Sequence, residues 1–294
     1  MTTNEFLIII GQISGVFGIV ASMFATGLVL TVAQIVQPLK NVRLVVLVLL
    51  ANFVLVPLLA YGIMRIIPLD ESLKVVLLIA ATAAGAPPLV LEARAAKGNM
   101  GVAVAVMVLL MVVTVFYLPL VLPLLLTGVE VDAWGMAQSL IVGMLIPLIL
   151  GLLIKAYAPD TAQNWAPTLS KVGLLGVLLL LVIGVGLNLS NVLSLIGTRG
   201  FLALLLLIFG GLLIGFAVGG RDPGVRNVMG LGTAQRNMSA AILITLQNFA
   251  GTNAVPYVLV ATALIMLVLL SIAPILGARS EAAVGAADEL QAKA

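Results

Sequence analysis

Read for hydrophobic periodicity, the chain is a succession of long apolar runs divided by short polar turns, with no alternating strand pattern of comparable length. A bilayer core of about 30 Å takes about 20 apolar residues in helical form. Runs of that size fall near 8–32, 44–64, 72–96, 100–126, 136–156, 169–189, 200–218, 227–248 and 255–277. They predict an all-α integral membrane protein of nine transmembrane helices. The whole of 1–294 reads as one transmembrane domain, with a flexible tail over 279–294. The opening Met1-Thr2-Thr3-Asn4-Glu5 carries no base, so the first run reads as a retained helix rather than a cleaved leader.

Composition sharpens the same picture. Hydrophobic residues make up 63% of the 294 positions and charged ones 9%, too little charge to cover a water-facing surface. There is no Cys and no His. Disulfides, thiolate nucleophiles, zinc–thiolate sites, imidazole ligation and HExxH chemistry are thereby excluded. Neither a catalytic constellation nor a resident metal or cofactor is expected, and a membrane-embedded enzyme is close to excluded. The net charge of +3 reflects topology rather than nucleic-acid binding.

The bases are distributed unevenly. Lys40, Arg43, Arg94, Lys97, Lys155, Lys171, Arg221, Arg226, Arg279 and Lys293 fall on one side of the nine spans, against Arg65, Lys74 and Arg199 on the other. The loop with Glu130 and Asp132 has none. Bases gather on the cytoplasmic side, so the N-terminus is expected outside and the C-terminus in the cytoplasm of a cell that carries the protein in its plasma or inner membrane. Trp134, Trp165, Tyr61 and Tyr157 lie near span ends, where interfacial aromatics belong.

Two halves of the chain repeat. Gly27-Leu-Val-Leu-Thr31 ends span one and Gly186-Leu-Asn-Leu-Ser190 ends span six, each followed by a short polar turn and a base. Each half then has a span interrupted by helix-unfriendly residues: Ala84-Gly85-Ala86-Pro87-Pro88 in span three and Gly230 to Asn237 in span eight. The offset of five spans inverts the second unit, giving inverted repeats over about 8–126 and 169–277. Paired breaks in inverted halves point to a secondary transporter. A break frees backbone groups that lipid cannot satisfy, so it must face a cavity, a ligand or the other break. Its half-helix N-termini offer positive dipole ends to an anion.

With these features the chain resembles the bile acid:sodium symporter family over nearly its whole length. The resemblance rests on Asn52-Phe-Val-Leu-Val-Pro57-Leu-Leu-Ala60, on Lys97-Gly98-Asn99 and on Gln235-Arg236-Asn237. It implies a core of spans two, three, four, seven, eight and nine, a panel of spans one, five and six, and two broken helices crossing at mid-membrane. Where the family's sodium ligands stand, this chain has Leu89, Val90, Ala103, Met107 and Leu231. One sodium site is thereby stripped of its side-chain ligands. The other retains Asn52 and Gln235, with Thr233 and backbone carbonyls as further oxygens. Loss of the only carboxylate removes the main charge compensation, which argues against classical sodium coupling.

Arg236 lies inside a span, where a guanidinium costs about 3 to more than 10 kcal/mol unless it finds a wet cavity, an anion or carbonyls. Three roles are open to it: a bidentate ligand for a substrate's acid group, a built-in cation in the position of sodium, or a pin that bonds freed carbonyls near Gly85. Gln235, Arg236 and Asn237, with Pro87 and Pro88 opposite, are the candidate substrate-binding residues. Glu92 is either a solvated interfacial carboxylate or a proton-carrying site. The reading that follows is alternating-access transport of a small organic anion, bile-acid-like or a short carboxylate. Proton-coupled or uncoupled exchange or export is the alternative, with metalloid export and a channel or structural subunit behind it. Substrate, coupling ion, direction and oligomeric state stay open.

Overall fold

Helix boundaries follow the side chains that can cap them. Asp70, Asn99, Asp132, Asp222 and Asn237 each accept a backbone N–H from the first turn of the helix they start, satisfying donors that the helix itself leaves unpaired. The computed structural model describes residues 3–126, 132–187, 189–190 and 199–292, with side chains placed between Phe6 and Ser280. Twelve helices are named here: α1 (Thr3–Val29), α2 (Val32–Leu39), α3 (Val42–Ile66), α4 (Glu71–Thr82), α5 (Pro88–Ala95), α6 (Met100–Leu125), α7 (Ala133–Tyr157), α8 (Pro159–Leu187), α9 (Arg199–Val218), α10 (Pro223–Ala234), α11 (Met238–Asn248) and α12 (Ala254–Ala292).

The chain is an all-α, multi-pass membrane protein. Seven helices (α1, α3, α6, α7, α8, α9 and α12) are long and apolar enough to cross a bilayer. The two remaining runs, expected as whole spans, are pairs of short helices: α4 with α5, and α10 with α11. Nine crossings are reached only by taking each pair as one. The turn expected after span one is instead a helix, α2, started by a capping box in which Thr31 and Gln34 bond each other's backbone N–H. Span six begins earlier than its apolar run, because Ala162 and Ala166 bury themselves beside Leu28 and the polar stretch before Leu169 stays helical. Glu130 and Asn188 of the second repeat lie outside the described residues.

Two layers result. Helix α1 packs along α7 and α8, and glycines set the spacing. A Cβ on Gly18 would meet the backbone of Gly173, Gly176 and Val177, and one on Gly27 would meet Leu148, Gly151 and Leu152. Such small-residue seams let membrane helices approach closely. This panel of α1, α7 and α8 faces a core of the remaining long helices and the two broken pairs. Helix α6 is the most buried of the seven, flanked by α2, α4, α5 and α10.

Helices α3 and α7 each contain a π turn, at Ala51–Leu55 and Ile141–Leu145, immediately before Val56-Pro57 and Ile146-Pro147. A proline ring clashes with the carbonyl four residues back and offers it no N–H; the wider turn makes room. In α3 the hydroxyl of Tyr117 donates to the Phe53 carbonyl, 2.6 Å away.

Candidate functional site

The two breaks meet. Ala84 and Arg236 form an isolated antiparallel bridge, and the N–H of Asn237 donates to the carbonyl of Ala83 at 2.9 Å. Gly85 holds a φ of +77° against helix α6, where a Cβ would collide with the backbone of Met107 and Met111. Only glycine combines that backbone with that clearance. Thr114 of α6 completes the first break. Its hydroxyl accepts from the N–H of Ala84 and donates to the carbonyl of the same residue, both at 2.8 Å.

Arg236 fills the meeting point and is 1% exposed. Its Nε donates to the carbonyl of Ala80 at 2.9 Å and its Nη2 to that of Ala81 at 2.7 Å. Its Nη1 donates to the carbonyl of Thr233 at 3.0 Å and to Oδ1 of Asn52 at 2.9 Å. The three carbonyls belong to the last turns of α4 and α10, the negative ends of two helix dipoles. One guanidinium therefore caps both first half-helices and ties them to the π turn of α3. Asn52 is held in place from its other end, donating to the carbonyl of Val48 at 3.0 Å and to the hydroxyl of Thr233 at 3.4 Å.

The positions that the resemblance gives to the emptied sodium site are packed with hydrocarbon. Leu89, Ala103, Met107 and Leu231 are all buried in the hydrophobic core. Among the described residues no group of three acids could hold a metal ion. Of the remaining candidates, Asn52 and Thr233 are already bonded to Arg236 or to each other.

A cavity of about 290 Å³ lies between panel and core beside the breaks, lined by Ser22, Met23, Pro87, Pro88, Gln235 and Ser239 among others. A second lobe of about 300 Å³ shares Thr26, Pro87 and Ser170 with it and continues along α5 to Arg94. The structure thus brings Pro87, Pro88 and Gln235 to the cavity wall, while Arg236 turns the other way, into the core. Gln235 presents a buried Oε1 that accepts no hydrogen bond. Asn237 is fully buried, its Oδ1 capping α11 through the N–H of Ala240 at 3.0 Å. Glu92 lies across α5 from the cavity, 0% exposed, with neither carboxylate oxygen bonded.

Several contributors to the cavity carried no signal in the sequence. Ser22, Thr26 and Ser170 are isolated polar positions in apolar runs, which more often serve helix packing. Arg94 read only as a base that orients the chain. The helical spacing Pro87, Leu91, Arg94 would have put it on the same face as the first break.

Comparison with known proteins identifies a family. Residues 16–195 match the sequence profile of the Sodium Bile acid symporter family, more than half of the chain and including the first break. A stretch of 159 residues, 53% of the chain, is 29% identical to the probable sodium/metabolite cotransporter BASS2, chloroplastic, of Oryza sativa subsp. japonica. The match covers 37% of that relative's length, so the chain spans well under half of it. Arg236 lies beyond the family-matched residues 16–195. A panel, a core and two broken helices that meet are what a carrier needs to bind on alternate sides, and on the family match the chain belongs to the Sodium Bile acid symporter family, a family of secondary transporters.

Proposed function

We propose that this protein moves a small organic anion across a cell membrane by alternating access of panel against core, and that it does so without sodium. The N-terminus is outside and the C-terminus cytoplasmic in this reading, as the distribution of bases requires. The relative's printed description as a sodium/metabolite cotransporter supports a metabolite-sized substrate. The observation that carries the reading is the Arg236 guanidinium on the carbonyls of Ala80, Ala81 and Thr233 and on Asn52. A cation fixed to the chain neutralises the helix ends that a bound ion would otherwise neutralise. Arg236 is then the built-in cation and also the pin of the crossing, rather than the substrate's ligand. Gln235, Pro87 and Pro88 form the wall that the substrate touches.

The test is uptake of radiolabelled taurocholate and of short keto and hydroxy acids into proteoliposomes. Saturable uptake at the same rate in sodium and in potassium is the expected result. Uptake that requires sodium would overturn the sodium-free reading, and no saturable uptake of any of these anions would overturn the transport reading.

A second reading concerns coupling. Glu92 is fully buried and partnerless, and a charged carboxylate is poorly tolerated in such surroundings. If α5 moves relative to its neighbours during transport, Glu92 is the group that would take up or release a proton.

A further inference from the structure

An anion entering the cavity needs a positive group, and most of the usual sources in a broken-helix carrier are committed elsewhere. Pro87 and Pro88 deprive the start of α5 of two N–H groups. Those of Leu89 and Val90 turn back to the carbonyls of Ala86 and Pro87, both at 3.1 Å. At the start of α11, Met238 donates to the carbonyl of Arg236 at 2.9 Å, and Ala240 donates to the Asn237 side chain. Arg236 itself donates four hydrogen bonds within the core.

Among the described residues lining the two lobes, Arg94 is the one ionisable side chain. It follows Pro87, Val90 and Leu91 on a single face of α5, seven residues from Pro87, which is about 10 Å along a helix. Its guanidinium is exposed and has no acidic partner among the described residues; Glu92 is on the opposite, buried face. A planar fork of donors is suited to a carboxylate. Beside Arg94 the lobe is lined by Val90, Leu91 and Met107, with the hydroxyl-bearing Thr26 and Ser170 where it joins the first lobe.

Building on the transport reading above, we infer that Arg94 is the residue that selects an anionic substrate by its carboxylate. The acid group lies against Arg94 and the hydrocarbon runs along Val90, Leu91 and Met107. The lobes are at the small end of ligand-sized cavities, which favours chains of a few carbons. Arg94 acts here on specificity and binding, and the pinning of the crossing helices by Arg236 is separate from it.

The experiment measures binding to the purified full chain in nanodiscs by calorimetry, using carboxylates of four to eight carbons and the matching amides. Wild type should bind at least one acid at least ten-fold more tightly than its amide. Arg94→Gln should lose ten-fold or more for the acid and keep the wild-type affinity for the amide, while Arg94→Lys retains part of the preference. Equal binding of acid by wild type and Arg94→Gln would overturn the inference and leave a base that serves topology alone. Binding of none of the series would also overturn the inference; the transport reading falls only if the proteoliposome assay with taurocholate and the keto acids fails too.

Discussion

Nη1 of Arg236 donates to Oδ1 of Asn52 at 2.9 Å, joining residues 184 positions apart in the chain. Through this bond the second broken helix is fastened to the π turn of α3, and through Ala80 and Ala81 to the end of the first broken helix. The crossing is thus held by a charge that belongs to the chain itself.

Removing that charge leaves the carbonyls of Ala80, Ala81 and Thr233 and Oδ1 of Asn52 without this donor. Arg236→Ala is expected to lose about 1–3 kcal/mol for each buried acceptor left unpaired, read as a large fall in melting temperature. Millimolar guanidinium should restore part of it, whereas tetramethylammonium, which has no N–H to donate, should not. Equal responses to the two ions would argue against a guanidinium-shaped site.

Thr114 both receives from and donates to Ala84. Thr114→Val preserves shape and removes both bonds, with an expected loss of about 1–3 kcal/mol. Thr114→Ser should stay near wild type. Thermal melts of the two variants side by side decide it, and a valine variant as stable as wild type would mean that the break is held by other contacts.

Gly85 and Gly62 form a matched pair for alanine substitution. Gly85→Ala faces a positive φ and the backbone of α6, so strain of about 1–3 kcal/mol adds to the collision and yields of folded protein should drop. Gly62, in α3, has nothing within 4 Å of a built Cβ. Gly62→Ala should stabilise by up to about 1 kcal/mol. Similar effects at both sites would contradict the close contact between α6 and the break.

Glu92→Gln replaces a partnerless buried carboxyl by a neutral group of the same size. The neutral form is the one its surroundings tolerate, so the variant should fold and melt at or above the wild-type temperature at neutral pH. If Glu92 carries the coupling proton, an imposed pH gradient should drive concentrative uptake in wild type and not in Glu92→Gln. Unaltered gradient-driven uptake would remove Glu92 from the transport cycle.

Sequence by itself located the long apolar helices, both interruptions and the buried arginine, because hydropathy and helix breaking are local properties. A run of about 20 apolar residues has few options in a bilayer, and Gly85 followed by Pro87 and Pro88 is locally unsuited to an unbroken helix. The amphipathic α2 and the early start of α8 were less legible, since the first is short and depends on its cap, and the second is polar and held by its buried alanines. What Arg236 bonds to, which side of α5 meets the cavity, and that Glu92 and Arg94 face opposite ways were decided by tertiary structure. The partners of Arg236 in α4 lie 155 and 156 residues away, and no local pattern encodes a contact over that distance. A charge in a membrane must find compensation somewhere; only the packing of the two breaks against each other determined that here it comes from carbonyls and an amide, leaving Arg94 as the positive charge beside the cavity.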